Sequence, residues 1–216
     1  MNKTELVIFD LDGVLVDTAK YHYLAWKKLA DEMGFDFTEE QNEQFKGVSR
    51  MACMDIMCKL ASKEDMPLEE RTIVANRKND YYLSYISSID SNELLSGVKS
   101  TLDMLKENGI KIALGSASKN AVPILEKTKI INYFDVIIDG TKVSKAKPDP
   151  EVFVLGAKTL GIPHDKCIVI EDAFSGVQAA KTATMRCIGI GDNQNLPNAD
   201  IVIDNVGLIT LEMLNA

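Results

Sequence analysis

The sequence predicts an α/β protein: a doubly wound parallel-sheet core domain with an all-helical cap domain inserted after its first strand. Three observations predict it. Several short β-rich runs are apolar throughout, which suits strands covered on both faces as in a parallel sheet. Helical patterns separate those runs in regular alternation. The long stretch from Thr18 to about Leu94 offers helices and no convincing strand.

Taken in chain order, residues 5–9 form the first strand, and residues 10–17 carry the chain out of it. A helix is predicted over 21–33, where Tyr21, Leu24, Ala25, Lys28 and Leu29 share one face and Gly34 ends the run. Helices over 39–45, 50–61 and 67–86 follow, separated by Gly47-Val48-Ser49 and by Met66-Pro67. The alternation then begins in earnest: helix 98–108, strand 111–114, helix 121–128, strand 136–138, helix 150–160, strand 167–170 and helix 176–182. Residues 186–190 and 201–203 are weaker strands. The expected division is a core of residues 1–17 and 95–216 and a cap of residues 18–94, with hinges near Asp17-Thr18 and Leu94–Gly97.

At 216 residues, 46% hydrophobic and 26% charged, the chain can bury a sizeable core. A net charge of −8 without any Lys/Arg-rich block argues against a nucleic-acid partner, so an anionic ligand has to be met by a local basic pocket. No run reaches the length of a membrane span, and the first residues lack a signal-peptide pattern. Cys53, Cys58, Cys167 and Cys187 lack CxxC spacing and sit in apolar surroundings, as expected of reduced thiols in a cytoplasmic protein. A monomer with no membrane partner is expected.

Ligands of a parallel sheet bind outside the carboxyl ends of its strands. That rule brings Asp10 with Asp12, Ser116 with Ser118 and Lys119, Lys147, and Glu171 with Asp172 to one edge. Carboxylates so close repel unless a cation joins them, and an oxygen-only ligand set favours Mg²⁺ over zinc. With Ser and Lys beside them, they describe a phosphoryl-transfer site, and the absence of GxxxxGK[ST] excludes a P-loop.

FDLDGVLVDT, GSAS, Lys147 in KAKPDP, and IEDA, in that order and each after a predicted strand, resemble the four motifs of the haloacid dehalogenase superfamily, whose core is Rossmann-like. The resemblance implies that Asp10 is a nucleophile forming an aspartyl-phosphate and that Asp12 is the general acid/base. It also implies that the Asp10 side chain, the Asp12 backbone carbonyl and Asp172 hold Mg²⁺ with support from Glu171, and that Ser116 and Lys147 hold the transferring phosphoryl oxygens. Two departures stand out. Ala173 replaces a common hydroxyl residue, and Gly115 before Ser116 is expected to loosen that loop.

The cap decides which hydroxyl attacks. His22 and Trp26 lie four apart on one helix face, Arg50 opens a helix where a cation is unfavourable without an anion, and Lys78-Asn79 form a further polar pair. Lys27 and Lys28 suit a solvated helix face. DTAKYHYLAWKKLADEMG, NEQFKGVSR, NRKNDYY and GSASKN resemble the β-phosphoglucomutase family. That likeness implies a sugar-phosphate substrate, with glucose 1-phosphate and glucose 6-phosphate interconverted through glucose 1,6-bisphosphate. Arg50 with Ser118, Lys119 and Asn120 would grip the phosphate not being transferred. His22, Trp26 and Lys78 would face Asp12 and the sugar, and Gly47, Val48 and Ser49 would meet the ring. The competing expectations are a sugar-phosphate or small-metabolite phosphatase and a non-catalytic phosphate-binding module.

Overall fold

The computed structural model describes residues 3–45 and 48–215. Six strands, β1 (Leu6–Phe9), β2 (Lys111–Gly115), β3 (Val136–Ile138), β4 (Cys167–Glu171), β5 (Arg186–Ile190) and β6 (Ile201–Ile203), form one sheet in the order β3-β2-β1-β4-β5-β6. Every neighbouring pair is parallel, so β1 sits between β2 and β4 with Phe9 level with Leu114 and Ile170.

The two-residue period of a strand shows why the apolar runs are continuous. In β1, Val7 and Phe9 face one layer, built with Val98, Leu102 and Leu105 of α5 (Val98–Glu107) and Ile124 and Leu125 of α6 (Ala121–Lys127). Leu6 and Ile8 face the other, with Phe153 and Ala157 of α7 (Glu151–Leu160) and Val177 and Ala180 of α8 (Phe174–Thr182). These β1 side chains are wholly buried, and truncating Ile8 to alanine would cost about 2–5 kcal/mol.

Between β1 and α5 the described residues form α1 (Ala19–Met33), α2 (Glu39–Asn42), α3 (Arg50–Leu60) and α4 (Leu68–Ile86), and no strand. They enclose an apolar cluster of their own, made from Trp26, Leu29, Phe37, Phe45, Met54, Met57 and Val74 among others. Gly34 ends α1 in the left-handed region, as its place in the sequence predicts. The expected helix 39–45 breaks after Asn42 into a 3₁₀ turn. The segments that enter and leave this layer lie side by side: Asp17 N–H donates to the Glu93 carbonyl (2.9 Å) and Leu95 N–H to that of Leu15 (3.1 Å).

All six strands fall within one residue of their expected bounds. The sequence does not announce α9 (Leu211–Asn215), which is too short for a helical period to register and is tied down by Arg186 donating to the Leu214 and Met213 carbonyls (3.1 and 2.9 Å). Gly115 also differs from expectation. It is the last residue of β2, not a loop residue, and the Phe153 ring fills the space its Cβ would take, at 2.7 Å. The four cysteines are free and buried, two in the helical layer and two in the sheet, on β4 and β5.

Candidate active site

Asp10 and Asp12 follow β1 in a compact loop. Asp10 N–H still donates to Ile170 across the sheet (2.9 Å), and Gly13, at φ 81°, turns the chain so that its N–H meets the Val16 carbonyl (3.0 Å). A Cβ at Gly13 would lie 2.1 Å from Asp172 Oδ2, so only glycine lets the two acidic loops approach. Gly176 does the same for Glu171, whose Oε1 occupies the place of a Cβ.

Lys147 Nζ lies between Asp10 Oδ1 (2.6 Å) and Glu171 Oε1 (2.5 Å), with its side chain 1% exposed. Burial alone would lower the pKa of this ammonium, but the two carboxylates outweigh it and raise it. Burial raises the Glu171 carboxyl against the pull of Lys147. Oxygens of Asp10, Glu171 and Asp172 lie within 4.8 Å of one another. Two carboxylates against one ammonium leave this cluster, with Asp172 added, short of positive charge. An all-oxygen donor set that is short of positive charge fits a hard divalent cation.

Asp12 points a different way. It accepts from the Thr18 hydroxyl, and His22 Nε2 stands 4.0 Å from Oδ1. Burial, then the neighbouring Asp10, raises its pKa to about 6, against the opposing pull of Thr18, Lys147 and Lys78. Thr18, expected only as a hinge, is therefore a direct ligand of this carboxylate and is fully buried.

The loop after β2 is held by its own serines, whose hydroxyls accept backbone N–H groups: Ser116 from Ser118 (3.1 Å) and Ser118 from Asn120 (3.2 Å). The hydroxyl proton of Ser116, at the cavity wall, is left to donate. These serines do not cap α6, whose N-cap is Asn120 with no side-chain cap.

The helical layer closes the other side of a cavity of about 480 Å³. The sheet layer lines it with Asp10, Asp12, Asp172, Ser116, Ser118, Lys119 and Asn120, and the helical layer with His22, Trp26, Val48, Ser49, Arg50, Asn76, Lys78 and Asn79. Gly47 lies outside the described residues. Lys78 is buried, 4.5 Å from the Trp26 ring and 2.9 Å from His22 Nδ1. Burial lowers the Lys78 pKa to about 7 and that of His22 well below its usual value. With Lys78 as donor, Nδ1 accepts and the ring proton sits on Nε2, toward Asp12. Trp26 is only 2% exposed, so most of its ring belongs to the helical core and its wall contribution is a platform for Lys78. Lys27 pairs with Asp36 (3.0 Å) and Lys28 lies over Tyr81, both off the cavity, as a solvated face requires.

Asn76 and Tyr82 escape a sequence reading, which singles out Asn79 beside Lys78 but not its partner. Asn76 and Asn79 both accept from Arg50, and Tyr82 stacks on His22 with ring centroids 4.0 Å apart. The i, i+3 spacing of the asparagines, and of Asn79 with Tyr82, places them on one face of α4 and is the signal available. A wider depression of about 640 Å³ beside β6 is lined by Asp192, Asp200 and Asp204, the wrong sign for a phosphate.

Residues 7–190 match the family model of haloacid dehalogenase-like hydrolases. The chain is 40% identical over 210 residues to the β-phosphoglucomutase of Bacillus subtilis, covering 97% of this chain and 93% of that one. It is 31% identical to a phosphorylated carbohydrates phosphatase of Thermotoga maritima, over 96% of this chain and 95% of that one. The crystal structure of β-phosphoglucomutase from Clostridium difficile superposes with a TM-score of 0.93 at 43% identity, covering 98% of this chain and 95% of that one.

Proposed function

The chain belongs to the haloacid dehalogenase-like hydrolase family, and from that premise we propose that it is an enzyme interconverting β-D-glucose 1-phosphate and D-glucose 6-phosphate through β-D-glucose 1,6-bisphosphate. The observation that carries this reading is that one cavity holds two phosphate-binding sets, Asp10, Asp12 and Ser116 beside the buried Lys147, and separately Arg50 with Lys119 and Asn120. A substrate with phosphate at each end uses both sets, whereas a hydrolase of simple phosphate esters needs only the first.

In this proposal residues 1–17 and 95–216 are the core and 18–94 the cap. The separate apolar cluster of the helical layer supports the division, and the paired segments around Asp17-Thr18 and Leu94 would be its hinge. Asp10 carries the phosphoryl group. The free hydroxyl of the sugar monophosphate attacks phosphorus, the bond to Asp10 breaks, and Asp12 takes the hydroxyl proton. The bisphosphate then turns end for end. Asp10 attacks the other phosphorus, and Asp12 returns its proton to the departing sugar oxygen.

A carboxyl raised to about 6 is suited to both halves of that exchange. Ser116 and Lys147 hold the moving phosphoryl oxygens, while Thr18 orients Asp12 through its hydroxyl and His22, kept neutral, faces it at 4.0 Å. Asp10, Asp172 and Glu171, with the Asp12 backbone carbonyl, would hold Mg²⁺, which when bound offsets the repulsion between carboxylates and phosphoryl oxygens. Val48 and Ser49 at the cavity wall, with Gly47 beside them in sequence, would meet the sugar ring. We propose a monomer acting in the cytoplasm, where the four free, buried cysteines stay reduced.

The Thermotoga relative makes a sugar-phosphate phosphatase the second reading. Purified protein with Mg²⁺ and a trace of glucose 1,6-bisphosphate, given β-glucose 1-phosphate, should form glucose 6-phosphate with little free phosphate. Phosphate appearing as fast as substrate disappears would establish the phosphatase instead.

A further inference from the structure

Arg50 is held by neutral groups. Its two terminal nitrogens donate to Asn76 Oδ1 (3.2 Å) and Asn79 Oδ1 (2.7 Å), one helical turn apart on α4. Asp80 acts on it only through space, and burial outweighs that attraction. Asn79 Oδ1 accepts a second bond, from Asn120 Nδ2 (3.0 Å) in the loop ahead of α6. One carboxamide oxygen thus joins the helical layer to the sheet layer, at the wall where the phosphate that stays on the sugar would lie. A guanidinium has five N–H donors and a carboxamide two, so both partners keep donors for a ligand.

We propose that Asn79 is a positioning residue for the non-transferred phosphate, fixing the spacing of Arg50 and Asn120 while leaving the charge of the guanidinium uncompensated. The inference rests on the two-phosphate reading of the cavity. An aspartate here would hold the same two donors, but it would neutralise Arg50 and repel the incoming phosphate. Alanine would release both donors and add no charge. The order of the two variants therefore separates this role from a structural tie between layers. A tie is rescued by the isosteric Asn79→Asp, and a charge-sparing acceptor is harmed by it most.

The test is calorimetric binding of glucose 6-phosphate to the full chain with Mg²⁺, alongside KM and kcat for β-glucose 1-phosphate. Losing one charge-assisted hydrogen bond predicts about tenfold weaker binding for Asn79→Ala, and an added repulsion predicts about hundredfold for Asn79→Asp, expressed mainly in KM. Asn79→Asp binding as tightly as the unaltered protein, or both variants within twofold of it, would overturn the assignment. If Asn79→Ala fails to fold by thermal melting, Asn79→Asp alone decides. An unaltered protein that turns over no β-glucose 1-phosphate, with the affinity order preserved, would sink the proposed reaction and leave the role of Asn79 standing. No binding of glucose 6-phosphate at all would overturn both.

Discussion

The sheet and helical layers around the cavity treat their cations in opposite ways. At the sheet end Lys147 is enclosed by two carboxylates at 2.6 and 2.5 Å. At the helical end Arg50 rests on two carboxamide oxygens. A cation paired with carboxylates fixes those carboxylates in place and adds little net charge. A cation held by neutral acceptors keeps its charge for whatever arrives. The sheet end is thus built to position a nucleophile, and the helical end to attract an anion.

The comparison breaks most visibly if the sheet end can lose Asp10 and still work. Asp10→Asn should lower turnover at least about 10³-fold with the fold intact by circular dichroism, and substantial remaining activity would remove the nucleophile. Next in size is stability. Lys147→Ala leaves Asp10 and Glu171 buried without their cation and should cost about 3 kcal/mol in urea denaturation without metal. Arg50→Ala, which strands only neutral amides, should cost under about 1 kcal/mol in the same assay. Similar costs at both sites would erase the contrast.

The smallest effect is on pH dependence. Lys78 is lowered to about 7 in the folded chain from an ordinary value of 10.5. Between those values the unfolded chain holds a proton that the folded chain lacks, so stability rises with pH across that window and is flat below about 7. The slope from this one group is at most about 1.4 kcal/mol per pH unit. The free energy of unfolding measured from pH 7 to 9.5 should therefore rise more steeply for the unaltered protein than for Lys78→Met, and parallel curves would show that Lys78 is not buried as a free base.

The sheet end was legible because its groups are fixed by local rules. An apolar strand followed by DxD, or by ED, puts carboxylates at a sheet edge wherever the strands are parallel, and Ser116 and Lys147 are reached by the same rule. The helical end depends on long-range partners. Nothing adjacent to Arg50 in sequence points to Asn76 or Asn79, 26 and 29 residues away, and the pairing of Thr18 with Asp12 needs the turn at Gly13. Trp26 is the reverse case, since helical spacing cannot separate a wall residue from a core one.

The central claim is that Arg50 serves the phosphate that is not transferred, and one ratio tests it directly. Mutase turnover of β-glucose 1-phosphate and hydrolysis of a small phosphate ester without a second phosphate would be measured for Arg50→Ala and the unaltered protein. Mutase turnover should fall about a hundredfold more than ester hydrolysis, as expected when a charge-assisted phosphate contact is lost from one reaction and was never used in the other. Equal loss in the two assays would contradict the account.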